Sequence, residues 1–166
     1  MNRAEASKPA IIDQNGYRIG FVCFTDVGPN DFSAGTSTSG ILLASDPDFD
    51  DIIKNAKSQV DELIVSFHSG IEYQTTHNAR QEEIFKKAVD DGADLVVGAH
   101  PHVAEDIQTY NGVTMMYSLG NFIFDQPFSQ DTMQGLFVTA TLQGKVFSDI
   151  TPHTVVLDSH YAPSLK

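Results

Sequence analysis

Between Ile52 and Val97 the chain alternates helix-period and strand-period patterns with short links, which constrains the fold more than any other stretch. Phe49, Ile52, Ile53, Ala56 and Val60 fall at helical spacing behind clear start signals. Those signals are Ser45 or Asp46 as N-cap, Pro47 in the first turn, then Asp48, Asp50 and Asp51, where a helix N-terminus favours negative charge. Glu62 to Phe67 (ELIVSF) is a short apolar run that reads as a buried strand ending at His68-Ser69-Gly70. From Asn78 to about Asp91 the helical pattern returns, with Ile84, Phe85, Ala88 and Val89 inward and Gly92 as the stop. Asp94–Val97 is the next strand. Helix, strand, helix, strand is the pattern of βαβ units, so an α/β fold is expected, with a parallel sheet and right-handed crossovers.

Further elements flank this core on both sides. Ala10–Asp13 and Tyr17–Thr25 are strands around an Asn15-Gly16 hairpin turn, the second of them central in the sheet. Residues 26–45 form a long Gly/Ser/Thr-rich connection, a length often functional or mobile. After Gly120 the texture changes: Thr132–Leu142 and Lys145–Leu157 read as antiparallel strands around Gln143-Gly144. Residues 1–9 are polar and expected to be disordered, and residues 158–166 are a tail without pattern. One domain over residues 10–157 suits a chain of 166 residues.

Charge excludes some functions. With a net charge of −12 and no Lys/Arg cluster, the surface repels nucleic acid and anionic lipid. A polyanionic substrate would need metal ions or a local pocket to reverse the potential. Cys23 stands alone, which excludes an internal disulfide, and its apolar neighbours predict a buried thiol. No run of 18 apolar residues is present to span a membrane, and MNRAEASKPAII lacks the apolar core of a signal peptide.

The chemistry-bearing residues gather between Asp94 and Gln126, with His68. His68 and the pair His100/His102 follow two neighbouring strands, whose carboxyl ends share one edge of a parallel sheet. Pro101 biases Ala99 and His100 toward extended backbone, in which residues two apart point the same way. Three neutral imidazoles suit Zn, Mn or Fe. Glu72, four residues after His68, and Asn121 and Asp125 could add oxygen ligands or orient the histidines. His77, His153 and His160 lie in polar loops or the tail and are read as structural. Ser118 has no G-x-S-x-G elbow, and there is no P-loop, no G-x-G-x-x-G and no cysteine-pair zinc motif.

Three blocks carry a specific resemblance: His68-Ser69-Gly70-Ile71-Glu72-Tyr73, the run from Asp91 to Val103 (DGADLVVGAHPHV), and the run from Tyr117 to Gln126 (YSLGNFIFDQ). In order and spacing they resemble the poly-γ-glutamate capsule-synthesis (CapA-like) family, a branch of the calcineurin-like metallophosphoesterases. The resemblance spans roughly residues 9–157. It implies a metallophosphatase-like pair of stacked β-sheets flanked by helices, with His68 as the lone-histidine metal motif and His100/His102 as the terminal histidine pair. In active members of the superfamily, two divalent metals hold the hydroxide that attacks phosphorus. Ser69 stands where the family commonly has Trp. The family's upstream Gly-Asp, Asn-Leu-Glu and Asn-Asn-His motifs have no match in MNRAEASKP, so the chain is expected to be a C-terminal half that is inactive alone.

Three functions follow from the resemblance. One is a metal-dependent phosphoesterase-type hydrolase acting on an envelope polymer or phosphoester. Another is a non-catalytic component of envelope-polymer assembly or export, and the third an amide-bond enzyme acting on poly-γ-glutamate. Family membership also implies a location at the cell envelope or extracellular surface. An open sheet edge would favour self-association.

Overall fold

A computed structural model describes residues 1–166. Strands β1 (Ala10–Gln14) and β2 (Tyr17–Thr25) pair antiparallel across Asn15-Gly16, whose φ values of 52° and 81° are the left-handed pair that a two-residue I′ turn requires. β3 (Glu62–His68) and β4 (Leu95–Ala99) then add in parallel to β2, as the alternating pattern predicts. The next hairpin lies outside that pattern. β5 (Ile107–Tyr110) and β6 (Val113–Met116) flank Asn111-Gly112, the same turn chemistry with φ of 49° and 83°. β6 lies parallel to β4, giving the order β1-β2-β3-β4-β6-β5.

Helices α2 (Phe49–Lys57) and α3 (Ala79–Asp90) cover one face of this sheet. Alternation along β2 and β3 turns Val22, Phe24, Leu63, Val65 and Phe67 toward them. Phe24, Phe49, Phe67 and Phe85 form a run of rings with centroids 4.6, 6.1 and 4.9 Å apart in that order. Each buried ring contributes about 1.5–3 kcal/mol from removal of apolar surface from water. A capping box closes the start of α3: the Asn78 side chain accepts from the Arg80 and Gln81 amides, and the Gln81 side chain accepts from the Asn78 amide.

α2 starts later than expected, at Phe49. Asp46 is diverted from capping: it accepts from the Leu43 amide at 2.7 Å, the Ser33 hydroxyl at 3.2 Å and Arg3 at 2.5 Å. Arg3 also pairs with Asp48. That corrects the expectation of disorder over residues 1–9, because Arg3–Ala6 forms a helical turn, α1, closed by an Asn2/Glu5 capping box. The pairing also ties down the 26–45 connection, which bridges to β2 through Thr25 and Leu42.

Cys23 is a second correction. It is exposed, because strand alternation sends Val22 and Phe24 to the helices and Cys23 to the opposite, half-covered face. The smaller sheet holds β7 (Gln134–Gln143), β8 (Val146–Leu157) and β9 (Pro163–Leu165). β9 places order in a tail that had none by pattern. The β7–β8 hairpin is tied to the large sheet at both ends. Leu136 N donates to Leu119 O at 2.7 Å, and near the turn Lys145 pairs with Asp61 at 2.6 Å. The result is the expected α/β arrangement of two sheets with flanking helices.

Candidate functional site

β3 ends at His68, in register with Ala99 at the end of β4. The chain continuing from each strand therefore leaves at the same edge, and Ser69 N donates to Ala99 O at 2.9 Å. The rings of His68 and His100 lie 4.7 Å apart by centroid, and those of His100 and His102 lie 6.2 Å apart. The three imidazoles are thus neighbours, but not by the route expected. His100 and His102 have φ of 117° and 62°, so the backbone is kinked on both sides of Pro101 rather than extended. The kink needs a close partner loop. Gly70, at φ +114°, has no room for a side chain: a Cβ there would sit 2.8 Å from Gln81 Nε2 and 2.9 Å from Pro101 Cγ. Tyr73 N donates to Pro101 O at 2.8 Å and locks the two loops together.

Burial lowers the pKa of His68 below the usual imidazole range, and the neighbouring His100 and His102 lower it further. His100 is also lowered, by burial, against the pull of Glu72 in the other direction. Both rings are held neutral near pH 7, the form that offers a lone pair. Glu72 is exposed, and its field reaches both His100 and the Tyr73 hydroxyl.

Asn121 is buried beside His102, with Oδ1 3.0 Å from His102 Nδ1. Its amide nitrogen donates to Thr132 O at 2.9 Å, which sets which end of the amide faces the histidine. Asn121 therefore accepts from His102 Nδ1–H, and in the neutral ring this puts the lone pair on Nε2. Asp125 is exposed in the following loop, and no hydrogen bond joins it to the histidines. Of the three residues expected to support the histidines, Asn121 touches one, Glu72 acts through its field, and Asp125 stands apart.

No three His, Cys, Asp or Glu side chains surround one point as a ready-made metal cage. The imidazoles approach pairwise instead. A metal held here would take these nitrogens together with other ligands. The His77 ring stacks on Tyr117 at 3.9 Å, and its Nδ1 lies 2.8 Å from Asp106. His153 Nε2 lies 3.0 Å from the Thr139 hydroxyl, and its ring sits 6.3 Å from that of Phe137.

Two site neighbours escape a reading of the sequence. Phe124 packs 4.9 Å from the His102 ring and Tyr73 stacks on it at 6.1 Å, with Gln126 Nε2 donating to Tyr73 Oη at 3.4 Å. The available signal is Phe122-Ile123-Phe124, an apolar run that fits no strand or helix and stays exposed.

The family model described as bacterial capsule synthesis protein PGA_cap matches residues 1–126, a span that contains all three histidines and Asn121. The chain belongs to that family. It is 43% identical over 116 residues to the PGA biosynthesis protein CapA of Bacillus subtilis (strain 168), a match covering 70% of the chain and 30% of that protein. It is 36% identical over 150 residues to the capsule biosynthesis protein CapA of Bacillus anthracis, covering 83% of the chain and 35% of that protein. The chain thus spans about a third of these CapA relatives. Among solved structures, a hypothetical protein from Thermus thermophilus aligns with TM-score 0.54 at 16% identity, covering 88% of the chain and 60% of that chain. The NAD nucleotidase NadN of Haemophilus influenzae aligns with TM-score 0.53 at 15% identity, covering 95% and 34%. At such identities the likeness is one of fold, and the fold is metallophosphatase-like.

Proposed function

We propose that the PGA_cap chain forms one wall of a divalent-metal-dependent, phosphoesterase-type hydrolase site serving capsule polymer synthesis at the cell envelope. The observation that carries this is the histidine cluster at the carboxyl edge of the sheet, with two rings held neutral and the third oriented by Asn121. His68, His100 and His102 would hold the metal together with ligands beyond these three, with Asn121 positioning His102. A bound Zn, Mn or Fe ion would supply a hydroxide nucleophile at neutral pH and neutralise charge on phosphorus. The chain's own part is to present lone pairs. The Nδ1 hydrogen bond to Asn121 fixes the orientation of the His102 ring, and burial keeps protons off His68 and His100. Glu72 places negative charge beside His100, which strengthens that ring as a donor.

The test uses the intact protein purified without chelator. Stoichiometric Mn, Fe or Zn and turnover of a phosphodiester or phosphomonoester are expected, and His100→Ala should reduce turnover by about 100-fold or more. Metal-free protein, or a variant as active as wild type, sinks the reading. One observation favours a second reading, a non-catalytic component of envelope-polymer assembly or export: no three ligand-type side chains converge on one point. Metal content of the intact protein separates the two.

A further inference from the structure

Beyond the histidines the rings do not stop. His68, His100 and His102 continue through His102 into Phe124 and into Tyr73 and then Phe128, with Tyr73 and Phe128 edge to face at 6.1 Å. Tyr73, Phe124 and Phe128 are 44%, 41% and 70% exposed. Holding three aromatic rings in water at the mouth of a polar site is unfavourable unless a ligand covers them. The carboxylate beside Tyr73 is Glu72, close enough to act on both the Tyr73 hydroxyl and His100.

Aromatic faces accept flat rings, apolar groups or cations. The local charge selects among these. An anionic flat ring such as a nucleotide base carried on phosphates meets Glu72 and a net charge of −12. A plain apolar group gains nothing from the carboxylate. A cation gains from both the ring faces and the carboxylate.

We propose that Tyr73, Phe124, Phe128 and Glu72 form an ammonium-binding subsite beside His102, and that the ligand is a zwitterionic phosphoester, an amino-alcohol phosphate. The proposal rests on the phosphoesterase reading for the phosphate end only. With the ammonium on the rings, the two-carbon spacer of such a compound sets its phosphate toward His100 and His102. Its ammonium offsets part of the phosphate charge and so weakens the repulsion that an acidic surface imposes on polyanions.

The ammonium end is tested first, by calorimetric titration of the intact protein with choline. Its neutral carbon isostere, 3,3-dimethylbutanol, serves as comparison. Saturable choline binding is expected, with the isostere weaker by at least fivefold. Tyr73→Ala and Phe128→Ala should each weaken choline about two- to fivefold, and Glu72→Gln should act in the same direction. All three residues are exposed, so these variants keep their fold, which circular dichroism checks. No saturable choline binding, or equal binding of the isostere, overturns the subsite. Two sources carry this headgroup. Saturation by phosphocholine without retention on phosphatidylcholine vesicles assigns a soluble ligand, and retention on those vesicles as well assigns a lipid. Turnover of p-nitrophenyl phosphorylcholine against bis(p-nitrophenyl) phosphate then addresses the other end. Choline bound with neither ester hydrolysed removes the hydrolase reading and leaves the subsite standing. Both esters hydrolysed at equal rates with no choline bound does the reverse.

Discussion

The proton on His102 Nδ1 rests on Asn121 Oδ1, and Thr132 O holds the other end of that amide. Replacing Asn121 by Ala removes the acceptor and lets the ring rotate or shift its proton. The metal affinity of the intact protein is expected to fall about 10–100-fold, read by calorimetry with Zn or Mn. Unchanged affinity would remove Asn121 from the site. A different residue governs pH behaviour. Glu62 is 2% exposed, and burial together with the neighbouring Asp94 raises its pKa from 4.5 to about 7. The folded state therefore binds a proton there that the unfolded state has lost between those two values. Its favourable contribution is complete below pH 4.5 and disappears as pH rises through about 7. The size is at most roughly 3 kcal/mol, since one unit is worth about 1.4. Glu62→Gln keeps the neutral form at every pH. Its Tm should match wild type near pH 4.5 and exceed it at pH 8, and parallel profiles would show that Glu62 does not titrate in this window.

At the level of elements, β4 has to meet the chain leaving β6 without a side chain between them. Gly98 makes this possible: a Cβ there would lie 2.0 Å from Tyr117 O and 2.9 Å from the Phe85 ring. Gly98→Ala is expected to cost about 3 kcal/mol or more by overpacking, visible as a lower urea midpoint. A wild-type midpoint would mean the strands separate easily. The helices and parallel strands are legible in the sequence because both report through period. The kink at His100 and His102 is not, because Pro101 argues for extension and only the partner loop at Gly70 overrides that preference. Asp46 looks like a cap in the sequence because its partner Arg3 lies 43 residues away. The β5–β6 hairpin carries an Asn-Gly signal as clear as the first, but it sits beside a histidine motif that dominates the reading of that stretch.

For the molecule as a whole, β1 is an edge strand with every residue exposed, including Ile11 and Ile12 at 38% and 52%. Unpaired strand edges of this kind recruit other strands. The chain is expected to self-associate at high concentration, with Ile12→Lys shifting it toward monomer in sedimentation velocity. Monomer at all concentrations for both forms would leave the edge inert. The large sheet also sorts its polar groups by end. The histidines stand at the carboxyl edge, whereas Glu62, Lys57, Asp94 and the Asp61–Lys145 pair stand at the amino edge. β3, running from Glu62 to His68, separates them, a length of about 20 Å at 3.3 Å per residue. At that distance substitutions act independently. A variant hardened against alkaline unfolding at Glu62 can therefore be combined with any change at the histidines without either altering the other's effect, and the protein's tolerance of its surroundings can drift while its chemistry stays fixed.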